Sequence, residues 1–522
     1  MLARIRSAAV LGVDAYLMDV EVDISNGMPT FTTVGLPHGA VKEGRERVSA
    51  AMQNAGYQFP LRRITVNLAP ADIRKDGSAL DLPIALGILV ASGQLPGESL
   101  ADRAVLGEVG LEGDLRPVRG ALSMAIAARA AGCTGLLLPE PNLAEAAVVQ
   151  GLDVRGARTL AEVCDWLAGR LELPAGRTDV RTLMAARGAD VADFSDVRGQ
   201  AAAKRALEVA AAGGHNILLV GPPGAGKTML ARRLPAILPS LTLDEALETT
   251  RIHSVAGTLP AGQALCTVRP FRAPHHTISD AGLIGGGSWP RPGEVSLAQG
   301  GVLFLDELPE FRKNVLEVLR QPMEDGVVTL SRAAMSLTFP ARFMLAAAMN
   351  PCPCGYHGDP DHECRCDAAT IERYLSRVSG PLLDRIDIHL HVPAVAYREM
   401  SVEPAGEPSA DIRARVERAR ETQLARFHGR PGLYANAHMS ARDLRSFCRT
   451  SDPVEQLLRT AIQRLRLSAR AYHRVLRIAR TIADLAGSAE LQCAHVSEAV
   501  QYRTLDRRRM VARPAGQDAG SP

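Results

Sequence analysis

One segment constrains this chain more than any other. Gly221-Pro222-Pro223-Gly224-Ala225-Gly226-Lys227-Thr228 lies between the apolar run Asn216-Ile217-Leu218-Leu219-Val220 and Met229-Leu230-Ala231-Arg232-Arg233-Leu234, which reads as helix. GxxxxGK[ST] in that setting predicts a strand–turn–helix unit of an α/β sheet. Its glycines let successive backbone N–H groups, and the positive end of the helix, converge on one point. A phosphate chain fits that point, with the lysine on the β/γ oxygens and the hydroxyl helping to hold Mg²⁺. Roughly eighty residues on, a second apolar strand, Val302-Leu303-Phe304-Leu305, ends in Asp306-Glu307. The two segments together predict an ATP-driven machine with ATP and Mg²⁺ as its cofactors.

With 522 residues, 46% hydrophobic and 22% charged, the chain has room for three or so ordinary globular domains. Its net charge of +3 names no partner, yet Ala441 to the end carries fifteen arginines against eight acidic residues and no lysine. Such a basic terminus permits contact with nucleic acid. No apolar run is long enough for a membrane helix, and Met1-Leu2-Ala3-Arg4-Ile5-Arg6, soon followed by Asp14, Asp19, Glu21 and Asp23, does not read as a signal peptide. Four of the nine cysteines crowd into fifteen residues, which suits a reducing, cytoplasmic compartment and a metal better than disulfides.

Five segments are expected: an α+β domain over 1–170, a linker over 171–192, the motor core over 193–400, a helical lid over 401–512, and a disordered tail over 513–522. In the first, Leu17–Ile24 and Pro29–Val34 read as paired strands. Val41–Asn54 reads as a helix stopped by Gly56, Arg63–Leu68 as a strand, and Leu80–Ala91 as an apolar helix.

Three further features specify the core. Phe343–Met349 is a strand ending in Asn350, where AAA+ ATPases keep the polar residue called sensor 1. Gly380-Pro381-Leu382-Leu383-Asp384-Arg385-Ile386-Asp387 resembles the segment that carries their arginine finger, and Ser468-Ala469-Arg470-Ala471-Tyr472-His473-Arg474 resembles sensor 2. With Asp193–Gln200, Gly213-Gly214-His215-Asn216, Arg272-Ala273-Pro274-His275-His276 and Asn350-Pro351-Cys352-Pro353-Cys354-Gly355, the chain resembles the magnesium-chelatase-like AAA+ proteins. Among these it is similar, over essentially its whole length, to the ComM (YifB-type) competence ATPases. The resemblance implies an AAA+ core with a helical lid and a hexameric ring that binds single-stranded or branched DNA. It also implies helicase activity that drives branch migration in natural transformation.

Phosphoryl-transfer chemistry then assigns roles. Lys227 neutralises the β/γ oxygens, Thr228 and Asp306 hold Mg²⁺, Glu307 polarises the water and Asn350 aligns it. The resemblance implies that Arg385 enters a neighbouring subunit's site and that Arg470, with Arg474 as runner-up, senses nucleotide in cis or in trans. Arg466, Arg470, Arg474 and Arg477 recur on one helical face. Two places suit DNA: the Gly-rich stretch Ala281–Arg291, where Trp289 would stack on a base, and a hairpin over Glu324–Phe339, where Arg332 would meet phosphate. Plain solvated loops are the alternative reading of both. With 4% aromatic residues, a multi-base stacking platform is not expected, so binding should be backbone-directed and salt-sensitive.

Cys352, Cys354, Cys364 and Cys366 form CxC-x₉-CxC with His357 and His362 between them. Four soft ligands suit a closed, structural Zn²⁺ site. Reduced thiols, or a histidine in place of one cysteine, remain the alternatives. The other five cysteines read as buried filler.

In the first domain, Asp72–Ser78 and Gly107–Gly113 resemble the Lon-protease fold, itself similar to a ribosomal S5-like domain. Proteolysis is not expected. Leu122 and Met124 stand where the Lon lysine would be, Ser78 is one place off the usual serine, and a serine without a base is a poor nucleophile. The rival to a DNA motor is the ATPase subunit of a metal-insertion complex, which normally lacks both the Lon-like domain and the CxC pairs.

Overall fold

The computed structural model describes residues 1–503 except His38, Asp72, Arg74, Asp76, 186–191, 288–289, 333–334, 395–405, Pro431 and 466–467. Trp289, Arg466, the 513–522 tail and the side chain of Arg332 therefore lie outside the described residues. Among those described, no helix is long and apolar enough to cross a membrane. The chain divides into two compact units, one of Met1–Arg187, Thr242–Thr267 and Thr329–Phe339, the other of Gly188–Leu241, Val268–Val328 and Pro340–Pro522.

The first unit is built on a seven-stranded mixed sheet in the order Thr30–Val34, Arg63–Ala69, Asp14–Ser25, Leu2–Leu11, Arg103–Val105, Gly135–Pro139, Asp153–Ala157. Leu2–Leu11 and Asp14–Ser25 form a hairpin closed by the two-residue loop Gly12-Val13, with Gly12 at φ 69. Asp14–Ser25 and Thr30–Val34 are not paired, contrary to expectation, because Arg63–Ala69 lies between them. Burial explains the order. The central strands bury Val20, Val22, Ile64, Val66 and Leu68, whereas Thr30–Val34 has no fully buried residue and takes the edge. It runs parallel to Arg63–Ala69, and the helix Ala40–Asn54 lies in the crossover such a pair requires.

The helix Asp81–Ala91 is buried nearly all round and packs on the two long strands. Gly87 permits the approach, since a Cβ there would sit 2.6 Å from Val22 Cγ2. Ser78 donates to the Glu108 carboxylate, and the helix Ala121–Ala130 buries both Leu122 and Met124. The helix Leu243–Ala256 joins this unit, closed by a Thr242–Glu245 capping box. Arg251 binds the Val13 carbonyl (3.1 Å), and Ser254 accepts from Gly120 N–H (2.9 Å).

The second unit has a five-stranded parallel sheet in the order Phe271–Arg272, Val302–Leu305, Met344–Met349, Ile217–Val220, Ile388–His391. The three central strands are buried at every residue, as a parallel sheet covered on both faces requires. Ala346, Ala347 and Ala348 keep the middle strand slim. The helix Ala201–Gly213 ends at Gly214 in the left-handed region. Its last carbonyls are capped by Arg420 and Gln423 from the helix Ser409–Arg426. The helices Ala469–Leu485 and Cys493–Gln501 complete the lid.

Candidate nucleotide site and arginine cleft

In a parallel sheet, ligands sit beyond the carboxyl ends of the strands. The strand order brings Gly221–Thr228, Asp306-Glu307 and Asn350 to adjacent carboxyl ends. Gly224 (φ 77) and Gly226 (φ 80) hold left-handed backbone that only glycine adopts without strain, and the helix Lys227–Arg232 follows at once. Lys227 Nζ donates to the carbonyls of Gly221 and Pro222 (both 2.8 Å) and to Asn350 Oδ1 (3.0 Å). Burial pushes its pKa down, and Asp306 opposes that. Thr228 Oγ1 donates to Asp306 Oδ2 at 2.7 Å. One hydroxyl and one carboxylate are the sparse oxygen set that suits Mg²⁺, which keeps much of its water and binds substrate phosphates.

Glu307 sits in left-handed backbone (φ 51, ψ 48), a strain of about 1–3 kcal/mol for a residue with a Cβ. Its N–H donates to Asp306 Oδ1 (3.0 Å), and its side chain is 62% exposed with His276 Nδ1 3.8 Å from Oε2. His276 appeared in the sequence only within a family-like run. Its approach to Glu307 depends on the strand Phe271–Arg272 lying beside Val302–Leu305.

The four clustered cysteines converge, with all Sγ atoms within 4.8 Å of one another. The separations Cys352–Cys354, Cys352–Cys364 and Cys354–Cys364 are 3.3, 3.7 and 3.6 Å. Tetrahedral zinc with Zn–S of about 2.3 Å requires roughly 3.8 Å between sulfurs, so the set fits. The Cys354 thiol is pulled down to about 6, first by the backbone N–H of Tyr356, while the crowded Cys364 and Cys366 thiols are raised, so the four share one thiolate without a metal. Gly355 (φ 90) packs on the phosphate loop, where a Cβ would meet Pro223 Cδ at 2.4 Å. The knot thus touches both Asn350, two residues before Cys352, and the phosphate loop. The expectation that the other five cysteines are buried fails at Cys493, which is exposed, and Cys266 is half-buried.

Arg385, Arg470 and Arg474 are elsewhere. They line a cleft of about 450 Å³ together with Arg342, Arg477, His438 and His473, and with Glu324, Asp325 and Asp387. Asn216, Phe343 and Asp387 also line it, and each immediately precedes a sheet strand. The cleft is therefore at the amino ends, separated from the phosphate loop by Ile217–Val220, about 13 Å of strand. Arg385 pairs with Glu324 and donates to Pro381 O (2.9 Å). Arg474 pairs with the buried Asp387 (3.2 Å), while Arg470 is exposed at the mouth. Burial lowers the pKa of Arg474 and Arg477, with Asp387 opposing. Arg385 Nε, Arg474 Nη1 and Arg477 Nε are buried donors without a hydrogen-bond partner among the described residues. Each unmet donor costs about 1–3 kcal/mol, so the arginine side of the cleft is under-satisfied by the described residues.

The Gly-rich stretch proposed for DNA is a short helix, Asp280–Ile284, followed by the paired Gly285–Gly286 and Arg291–Pro292. The second DNA segment is the hairpin Val327–Arg332/Met335–Pro340, shorter than expected because Glu324 ends in the helix Arg320–Asp325.

A phosphate loop, an acidic pair and a polar strand-end residue meeting on a sheet of this order define an AAA+ ATPase core. Family models agree: "Magnesium chelatase, subunit ChlI" matches residues 193–400, "Subunit ChlI of Mg-chelatase" 20–142, and "Magnesium chelatase, subunit ChlI C-terminal" 406–503. Competence protein ComM of Haemophilus influenzae is 44% identical over 97% of this chain and 98% of its own length. YifB of Escherichia coli is 45% identical with the same coverage, 97% and 98%. Lon protease 2 of Bacillus subtilis is 32% identical over 157 residues, 27% of each chain, a partial Lon likeness. This chain belongs to the ComM/YifB family of magnesium-chelatase-like AAA+ ATPases.

Proposed function

We propose that the protein is an ATP-driven DNA-remodelling motor, a hexameric helicase that promotes branch migration of recombination intermediates in natural transformation. The likeness to a protein named for competence supports the biological setting. The observation that carries the mechanical reading is the arginine cleft, an anion-seeking surface at the opposite end of the sheet from the phosphate loop.

Within one protomer, Lys227 holds the β/γ oxygens, Glu307 takes the water's proton and Asn350 orients that water. Asn350 already accepts from Lys227 Nζ at 3.0 Å, so it lies within reach of the γ-phosphate position. Thr228 and Asp306 would hold Mg²⁺, which would supply charge neutralisation on the phosphates. Arg385 and Arg470 share one cleft, so they reach the same nucleotide. Their distance from their own Lys227 supports the reading that the nucleotide is a neighbour's, with an oligomer and a role for Arg470 in trans. Arg474, tied to Asp387, supports the cleft wall. Zinc on the four thiolates would be structural. Trp289 and Arg332 remain the proposed DNA contacts.

The test is strand exchange on a branched DNA substrate. The parent protein should move the branch with ATP, and Lys227→Ala should not. An ATPase indifferent to every DNA, but stimulated by a separate metal-insertion partner, would instead support the magnesium-chelatase reading that the family descriptions carry.

A further inference from the structure

The segment carrying Arg385 is held by buried side chains and backbone bonds. Asp387, two residues after Arg385, is buried, and its Oδ2 accepts from Asn216 N–H at 3.0 Å. Its Oδ1 faces Arg474 Nε at 3.2 Å, and His215 Nδ1 is 3.8 Å from Oδ2. Burial works against its charge, but His215, Arg474 and Arg477 hold the carboxyl well below the usual range.

Asn216 commits its backbone and side chain to the same junction. Its carbonyl accepts from the N–H groups of Asp387 and Ile388, both at 3.0 Å. Its Nδ2 donates to Arg385 O (3.2 Å), and its Oδ1 accepts from Leu345 N–H (2.8 Å). Buried Arg503 adds a bond from Nη1 to Ile386 O at 2.8 Å. Four strand residues later the same chain becomes Gly221 of the phosphate loop. Leu345, also tied to Asn216, lies in the strand Met344–Met349 that leads to Asn350.

We infer that Asp387 and Asn216 are positioning residues for the arginine finger. They bracket Arg385 and the Arg474 side of the cleft onto the strand that carries the protomer's own phosphate loop. The bracket aims Arg385 at a neighbour's nucleotide and makes that aim follow any shift of the strand when the protomer's own nucleotide changes. A shift of about 1 Å in a catalytic group can cost roughly 10²-fold in rate, so a loosened bracket should be visible in turnover. The inference rests on the across-protomer reading above.

Subunit mixing tests it with the full-length chain. Asp387→Asn should lower kcat by about 10²-fold while leaving ATP affinity unchanged, because its own phosphate loop is intact. Asp387→Asn and Lys227→Ala, the one impaired and the other inactive alone, should recover ATPase activity above the sum of the two when co-assembled. At mixed interfaces an intact loop then meets an intact finger, which misfolded subunits would not provide. Asn216→Ser keeps the backbone bonds and drops the Nδ2 tie to Arg385, so it should show a smaller loss with the same recovery. Arg385→Ala mixed with Lys227→Ala is the reference pair. If that pair recovers and the Asp387 and Asn216 variants do not, or if these variants keep parental kcat, the positioning role is overturned while the motor reading stands. If no pair recovers, the across-protomer reading falls and takes the bracket with it.

Discussion

The two ends of the parallel sheet use charge in opposite ways. At the carboxyl ends, Lys227 donates to two carbonyls and Asn350, and Thr228 is bonded to Asp306, so each main polar group has an internal partner. At the amino ends, five arginines line one cleft and three of their buried N–H donors go unmet among the described residues. One end is a self-contained half-site. The other leaves donors unmet among the described residues, and under the proposed function a second copy's nucleotide answers them. On that proposal, the difference divides hydrolysis between copies by the length of a strand.

Breaking the amino-end half should have the largest effect. Arg385→Ala should cost roughly 10³–10⁵ in kcat while nucleotide affinity stays near parental, measured by steady-state turnover and a fluorescent-nucleotide titration. Parental turnover would abolish the contrast between the two ends. At the carboxyl end, Gly355→Ala introduces a Cβ 2.4 Å from Pro223 Cδ at φ 90. It should weaken ATP binding by about 1–3 kcal/mol yet leave bound zinc, by metal analysis, at the parental level. Cys352→Ser should lose both.

A pH series sharpens the comparison from the stability side. His389, one residue into the last sheet strand, is buried, and burial first, then Arg503, lower its pKa to about 3. The unfolded chain binds that proton near pH 6.5 and the folded chain does not. Stability should therefore be full above about pH 6.5 and fall by up to a few kcal/mol as pH drops toward 3. Urea midpoints across that range, compared with His389→Gln, read the effect directly; an identical slope in the variant assigns it elsewhere. The smallest change expected is from Ser468→Ala, which removes the N-cap bond to Ala471 N–H on the helix carrying Arg470, Arg474 and Arg477. A loss of about 1 kcal/mol without loss of ATP affinity would place that helix on the amino-end side of the division.

Legibility followed the range of the interactions. Local rules placed the phosphate loop, the strand ending at Asp306, the Gly56 helix stop and the apolar helix at Asp81–Ala91, because glycine backbone freedom and side-chain period act within a few residues. Arg63–Ala69 was found as a strand, but its insertion between two others was not, since strand order depends on which apolar faces compete for the centre. The four cysteines suggested a metal by type and count, while their fit to a tetrahedron needed coordinates. His276 beside Glu307 and the Asn216–Asp387 junction left no local signal, because their partners are joined across sheet strands rather than along the chain.

By itself, the sequence determined the chemistry of the nucleotide half-site, because GxxxxGK[ST] and an acidic strand end are short-range constraints on backbone and charge. It also carried the family resemblance through its motifs. Only the tertiary structure decided that Arg385, Arg470 and Arg474 share a cleft away from their own phosphate loop. That separation is set by parallel strand order and by the length of Ile217–Val220, quantities that exist only once the sheet has formed.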